Sequence, residues 1–196
     1  HPFETDFYRH EDVTCHFGSA VAALDALGHR IILGDGRRLD YDRCLIATGA
    51  TPVIPPIPGL RESTRVFALL NAASARTLDV AMRVARKAIV LGVSLVGMKM
   101  AEILVRRGVE VILLGRGDQV LARGTHPLAA AIVRRHFERH GVDVRLGRNL
   151  EGLEDAGDGA VCRLSDGAVE EADIVLVCTG VRPNLAFVDR DQVEVD

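Results

Sequence analysis

The sequence predicts an α/β fold: a strand–helix–strand–helix block closed by a β-meander, with a second β-rich segment ahead of it. Three observations carry that prediction. Residues 87–107 pass from an apolar run through a glycine-bearing turn into a stretch with helical spacing of apolar positions. Asp35-Gly36 and Asp166-Gly167 stand as turn signals between runs rich in Ile, Val and Leu. The chain also resembles itself at a fixed offset of 131 residues, a sign of a duplicated structural unit. Asp12-Val13, Gly28, Leu33, Asp35-Gly36, Asp42, Leu45, Thr48-Gly49 and Pro52 fall without a gap on identical residues between Asp143 and Pro183.

Composition removes several classes of function. A formal net charge of −3 over 196 residues argues against a nucleic-acid binder, which shows a basic face. Aromatics make up 4% of the chain and Trp is absent, so stacking on exposed bases is not an expected binding mode. The longest apolar run, Ala88–Met98, falls well short of the ~20 residues of a membrane span. No basic-then-apolar leader opens the chain. Cys15, Cys44, Cys162 and Cys178 lie far apart without a CxxC pair, which speaks against a close-spaced zinc site and against a redox pair within this chain. The expected setting is reducing and cytoplasmic.

Taken in order, the first repeat reads as a small β-meander ending in an apolar strand, Cys44–Ala47, followed by Thr48-Gly49. Thr51–Gly59 holds four of the seven prolines and reads as an interdomain linker. Residues 71–86 suit a helix capped by Asn71, with Arg76, Arg83 and Arg86 on its solvated face. Lys87–Val93 is a strand, and Leu95–Arg107 a helix with Val96, Met100, Ile103 and Leu104 on one face, closed by Gly108. Val109–Leu114 is the next strand. His126–His140 is the next helix, with Pro127 in its first turn. The second repeat then gives a meander, the strand Ile174–Cys178 and the exit Thr179-Gly180. Cys44 and Cys178 are expected to be small core residues. A full strand–helix–strand–helix block, 87–142, precedes the second repeat, whereas only eleven residues precede the first. The first unit is therefore expected to be truncated, with its own block ahead of His1 in a parent protein.

The chemistry lies in the turn Gly92-Val93-Ser94-Leu95-Val96-Gly97. Between a strand and a helix, free backbone N–H groups and the positive helix end suit a pyrophosphate. In such a turn the first glycine makes the bend, the second lets backbone approach phosphate and the third allows close helix–strand packing. Ser94 occupies the second position and can offer its hydroxyl. This is a Rossmann-like, NAD(P)-binding pattern. An acid at the end of the second strand would select NAD, and a nearby arginine would accommodate the 2′-phosphate of NADP. Gly115 stands at the acid's place, Arg116 follows and Arg123 adds a second positive charge, so NADP is favoured over NAD. The alternative is that Arg116 is a solvated loop residue and Asp118 serves the ribose. His126, His136 and His140 read as surface or capping residues, His10 and His16 as structural, and no metal site is expected.

With these motifs placed, the sequence resembles the pyridine nucleotide-disulfide oxidoreductase family. The segment Asp40–Gly49 with the prolines after it, the fingerprint Gly92–Glu102, and Asp173–Asn184 carry the resemblance, in the family's order. The family combines an FAD domain, an inserted NAD(P) domain and a C-terminal dimerisation domain. The resemblance implies hydride transfer from NAD(P)H to FAD, then electrons to a disulfide, quinone, oxygen or protein acceptor. It implies that Gly92, Ser94 and Gly97 face the pyrophosphate, with Val93, Leu95 and Val96 in the same turn. Gly115 and Arg116 would lie at the adenosine ribose, Thr179 and Gly180 on the nicotinamide side, and Thr48 and Gly49 by the flavin-domain core. Lys99 stands where many members place a Glu near the nicotinamide.

The expected organisation is a remnant of a truncated FAD domain over 1–60, a Rossmann-like NAD(P)-binding domain over 61–184, and a return segment over 185–196. The partners expected are the dinucleotide and the missing FAD and dimerisation domains of a homodimeric parent, with neither nucleic acid nor membrane. No catalytic residue is assigned, and this polypeptide alone is expected to lack flavin turnover. The competing expectation is a stand-alone module that binds or senses the dinucleotide without redox chemistry.

Overall fold

The structure is a computed structural model that describes Tyr8 and residues 13–194. Its contacts divide the chain into two compact units, 1–49 with 184–196 and 50–183.

In the first unit, β1 (Val21–Asp25), β2 (Arg30–Leu33) and β3 (Arg38–Asp40) form an antiparallel meander in the order β1-β2-β3. Asp25 accepts from the backbone N–H of Gly28 at 2.8 Å, which closes the first turn. The Asp35 carboxylate accepts from Arg37 N–H at 3.0 Å, while Gly36 takes φ +85°, a conformation that glycine adopts without strain. Leu24, Leu33 and Val188 are the buried apolar residues described in this unit.

The expected strand Cys44–Ala47 is not one. The segment is irregular, Cys44 is exposed and Leu45 is 90% exposed. A continuous apolar run holds as a strand only with hydrogen-bonded neighbours, and no described strand pairs with this one. Cys44 is accordingly not a core residue, in contrast to the sequence expectation.

The second unit begins with β4 (Ala50–Pro52) and β5 (Val66–Ala68). Residues 53–65 between them are not an interdomain linker. Leu60 is buried, and Ile54 and Ile57 pack on the same core. Pro58 O accepts from Leu153 N–H at 3.0 Å, and Asp155 takes the Ser63 hydroxyl together with the Thr64 N–H at 3.0 Å and hydroxyl at 2.9 Å. These contacts assign residues 50–60 to the second unit, where the sequence reading placed the seam after residue 60.

Then follow α1 (Ala72–Met82), β6 (Lys87–Leu91), α2 (Leu95–Arg106), β7 (Glu110–Gly115), α3 (Pro127–Arg139) and β8 (Val142–Leu146). The meander is β9 (Leu150–Ala156), β10 (Gly159–Leu164) and β11 (Val169–Ala172), and β12 (Ile174–Val177) and β13 (Val181–Pro183) close the unit. β5-β12-β6-β7-β8 is a parallel five-stranded sheet, and β13 pairs antiparallel with β4. The helix starts follow local chemistry: Asn71 and Ser74 form a reciprocal capping box, and His126 caps α3 ahead of Pro127. α1 ends at Met82, so Arg83 and Arg86 lie beyond it.

Period-two burial makes the sheet the middle layer of three. Ala88, Val90, Val111, Leu113, Ile174 and Leu176 face Leu78, Met98, Met100, Ala101 and Leu104 on the helices. Ile89, Leu91, Ile112, Leu114, Val175 and Val177 face Leu150, Leu153, Cys162 and Leu164 of the meander. Burial raises the Cys162 thiol to about 11, which keeps it protonated at neutral pH.

Charges tie β6, β7 and β8 to β11. Lys87 Nζ lies 2.9 Å from Glu170 and 3.2 Å from Glu110, and Arg145 reaches both Glu170 and Asp143 at 2.8 Å. The Lys87 hydrogen bond, reinforced by Arg145, holds the Glu170 carboxyl below its ordinary range, and the same bond raises Lys87. A depressed carboxyl stabilises above its unfolded pKa, about 4.3, and loses that effect as pH falls through its folded value. A raised lysine stabilises below its unfolded pKa, about 10.4, and loses the effect as pH rises through its folded value. Glu170→Gln is expected to cost about 1–2 kcal/mol at neutral pH, with the difference from the parent vanishing towards about pH 2, as read by urea denaturation across pH.

Candidate coenzyme site

The candidate site forms where β6 gives way to α2. Gly92 has φ +110°, and a Cβ placed on it would lie 2.4 Å from the Cys178 carbonyl oxygen at the end of β12. Only a residue without a side chain passes there. Gly97 is buried in the first turn of α2, and a Cβ there would lie 1.9 Å from Gly92 O. The two glycines therefore let helix and strand approach to backbone contact, the arrangement a diphosphate turn requires. The buried stripe of α2 starts at Gly97 and continues through Met100, Ala101 and Leu104. Val96, expected on that stripe, is 52% exposed, because Gly97 takes the position of closest approach.

Ser94 is the N-cap of α2. Its hydroxyl donates to Cys178 O at 3.0 Å, and its oxygen accepts from Gly97 N–H at 3.4 Å. The N–H groups of Leu95 and Val96 begin the helix and have no partner within it. Leu95 and Val96 are exposed, so these two donors and the positive helix end form an open cradle for an anion.

The neighbouring loops close on this turn. Gly92 N–H bonds Leu114 O at 2.8 Å, and Leu121 N–H bonds Val93 O at 2.9 Å. Leu121 adopts φ +51° there. A Cβ on Gly115 would lie 2.8 Å from a Val93 methyl. The segment carrying Arg116 and Arg123 is thus tethered at both Gly115 and Leu121. Both arginines are exposed, and neither makes an ion pair among the described residues. Asp118 is likewise exposed. On the other side, Thr179 donates its hydroxyl to Val53 O at 2.6 Å, and Gly180, at φ +113°, accepts from Val53 N–H at 2.9 Å.

The structure therefore gathers Gly92, Val93, Ser94, Leu95, Val96, Gly97, Gly115, Thr179 and Gly180 around one turn. Lys99 lies outside the cradle's donors, exposed on α2 and paired with Glu102 at 2.9 Å. Thr48 and Gly49 belong to the first unit, where the Thr48 hydroxyl donates to Asn184 O at 2.7 Å and Gly49 O accepts from Asn184 N–H at 3.0 Å. Sequence reasoning missed the Cys178 carbonyl, on which Gly92 and Ser94 both converge. Its only signal was its place one residue before Thr179. The Cys178 thiol is buried and raised to about 11 by desolvation, a packing group rather than a nucleophile. A groove lined by Lys87, Asp158, Glu171 and Asp173 lies at the start of β6, the opposite end from the strand termini where α/β sheets hold ligands. Among the described residues no group of three or more His, Cys, Asp or Glu gathers to hold a metal, and no helix is long and apolar enough to cross a membrane.

Gly92→Ala combines a strained φ with a clash against backbone. It is expected to destabilise the chain by about 2–4 kcal/mol, measured by urea denaturation, and to abolish dinucleotide binding at temperatures where the variant stays folded.

Comparison with known proteins places this geometry. The family profile described as "Pyridine nucleotide-disulphide oxidoreductase" matches residues 4–196. The chain is 34% identical over 191 residues to the NADH-dependent phenylglyoxylate dehydrogenase subunit epsilon of Aromatoleum evansii, covering 97% of this chain and 45% of that protein. It is 32% identical to the ferredoxin–NAD(+) reductase component of the p-cumate 2,3-dioxygenase system of Pseudomonas putida, covering 91% and 43%. The putidaredoxin reductase in its covalent complex with putidaredoxin superposes with a TM-score of 0.84 at 26% identity, covering 94% and 46%. The fold alone is shared with a ferredoxin reductase of Rhodopseudomonas palustris, at a TM-score of 0.85 and 22% identity, covering 94% and 46%. The chain spans under half the length of these relatives. With its α/β architecture and glycine turn, the chain belongs to the pyridine nucleotide-disulphide oxidoreductase family.

Proposed function

We propose that this chain is the coenzyme-binding part of a flavoprotein oxidoreductase that takes hydride from NAD(P)H, passes it to FAD and delivers electrons to a disulfide, quinone, oxygen or protein acceptor. The observation that carries the reading is the turn at 92–97, with its two close-approach glycines and the exposed N–H groups of Leu95 and Val96. The nicotinamide supplies hydride when bound. The chain's own residues hold the diphosphate on the start of α2, keep the adenosine end against Gly115 and Arg116, and set the nicotinamide end beside Thr179-Gly180. The relative named as a ferredoxin–NAD(+) reductase component supports a protein acceptor. The irregular Cys44–Ala47 segment, with Thr48 and Gly49 after it, is read as the exit segment of a flavin-binding domain. The whole protein is read as a cytoplasmic homodimer, and this polypeptide alone as inactive in flavin turnover.

For the coenzyme, NADPH is preferred. No acid stands at the end of β7, and two exposed arginines without ion-pair partners among the described residues flank the loop that follows. The phenylglyoxylate dehydrogenase subunit is named NADH-dependent and the p-cumate component is named for NAD(+), so the NADPH reading rests on this chain's loop alone. Calorimetric titration is expected to show NADPH binding about tenfold more tightly than NADH, with Arg116→Ala removing most of that difference. Binding of NADH alone would overturn the NADPH assignment, and binding of neither would overturn the coenzyme site itself.

A further inference from the structure

We propose that Ser94 is a positioning residue whose hydroxyl locks the diphosphate turn to the segment that receives the nicotinamide end. The inference rests on the coenzyme reading above and adds to it a role for the one position where the turn departs from glycine. A serine in that place has two possible uses: its hydroxyl can meet the phosphate, or it can serve the protein. The geometry selects the second. The hydroxyl proton is donated to Cys178 O at 3.0 Å, and an oxygen lone pair faces Gly97 N–H at 3.4 Å. The single proton of a hydroxyl cannot serve a phosphate at the same time. The phosphate is then left to backbone N–H groups of the turn, those of Leu95 and Val96 among them.

Cys178 is the residue before Thr179-Gly180. Thr179 is itself fastened through its hydroxyl to Val53 O at 2.6 Å, and Gly180 O to Val53 N–H at 2.9 Å. One continuous path of hydrogen bonds thus runs from the first turn of α2 through Ser94 to the end of β12 and on to the β4 strand exit. Gly92, pressed on the same Cys178 oxygen, keeps the gap too narrow for any larger group. The two ends of a bound coenzyme are consequently held in register by a side chain that touches neither.

The test is calorimetric titration of the chain and its Ser94→Ala and Ser94→Thr variants with two probes: NADPH, and 2′-phospho-ADP-ribose, which keeps the adenosine and diphosphate but lacks nicotinamide. In Ser94→Ala, NADPH is expected to bind about tenfold more weakly and 2′-phospho-ADP-ribose within about twofold of the parent. Ser94→Thr keeps the hydroxyl and is expected to restore both. Equal weakening of the two probes would assign the hydroxyl to the turn alone and overturn the proposal. An unchanged NADPH affinity in Ser94→Ala, or a Thr variant as weak as Ala, would do the same. A parent chain that binds neither probe, nor NADH and ADP-ribose in their place, would overturn the coenzyme reading instead, before any variant is compared; a chain that binds only NADH and ADP-ribose is tested with that pair.

Discussion

A missing atom organises the second unit. At Gly92 the backbone passes the Cys178 carbonyl at a distance where a Cβ cannot fit, and at Gly97 the helix passes Gly92 in the same way. These two approaches fix how closely α2 docks on β6 and β12. They turn the exposed start of that helix towards the sheet's carboxyl edge. The apolar stripe of Met100, Ala101 and Leu104 follows from Gly97 by helical spacing, and with it the packing of the helix layer. Burial supplies the stability of this unit, and the backbone contact supplies its register.

The two repeats obey the same local rules in different surroundings. The carboxylates of Asp35 and Asp166 each accept from the backbone N–H two residues on, and Gly36 and Gly167 take φ of +85° and +84°. Thr48 donates its hydroxyl to the carbonyl of residue 184, and Thr179 donates to that of residue 53, positions that correspond at the same offset. The turn chemistry is therefore duplicated along with the residues. What covers the meanders is not duplicated: the second has a parallel sheet under Leu153, Cys162 and Leu164, whereas Leu24, Leu33 and Val188 make up the buried apolar set described for the first.

The parts legible in the sequence were those decided within one element and its immediate flanks. Asn71 capping α1, Pro127 opening α3, Gly108 ending α2 and the Asp-Gly turns all act over three or four residues, and each is found as read. Cys178 was legible as a core residue because its strand has neighbours on both sides. Cys44, on a run of the same apolar character, was not, since strand pairing is a property of partners and no described strand supplies one. The prolines of 52–58 suggested a free linker. They stiffen a strap that packs through Ile54, Ile57 and Leu60, a fact visible only once Leu153 and Asp155 are in place. At the candidate site the glycine spacing was readable, while the destination of the Ser94 hydroxyl and the tether from Leu121 to Val93 depend on contacts across many residues of chain.

The pairing of β4 with β13 sets Ala50 opposite Pro183, so the second unit begins and ends at adjacent points of one ribbon. Such a body behaves as a cassette: its two ends leave side by side, and its interior is indifferent to what they are spliced into. That arrangement makes it a natural candidate for grafting into the loop of another scaffold, or for circular permutation with a short bridge between the original ends. It also gives a mechanical reason why a chain can interrupt one domain with another and resume the first without disturbing either.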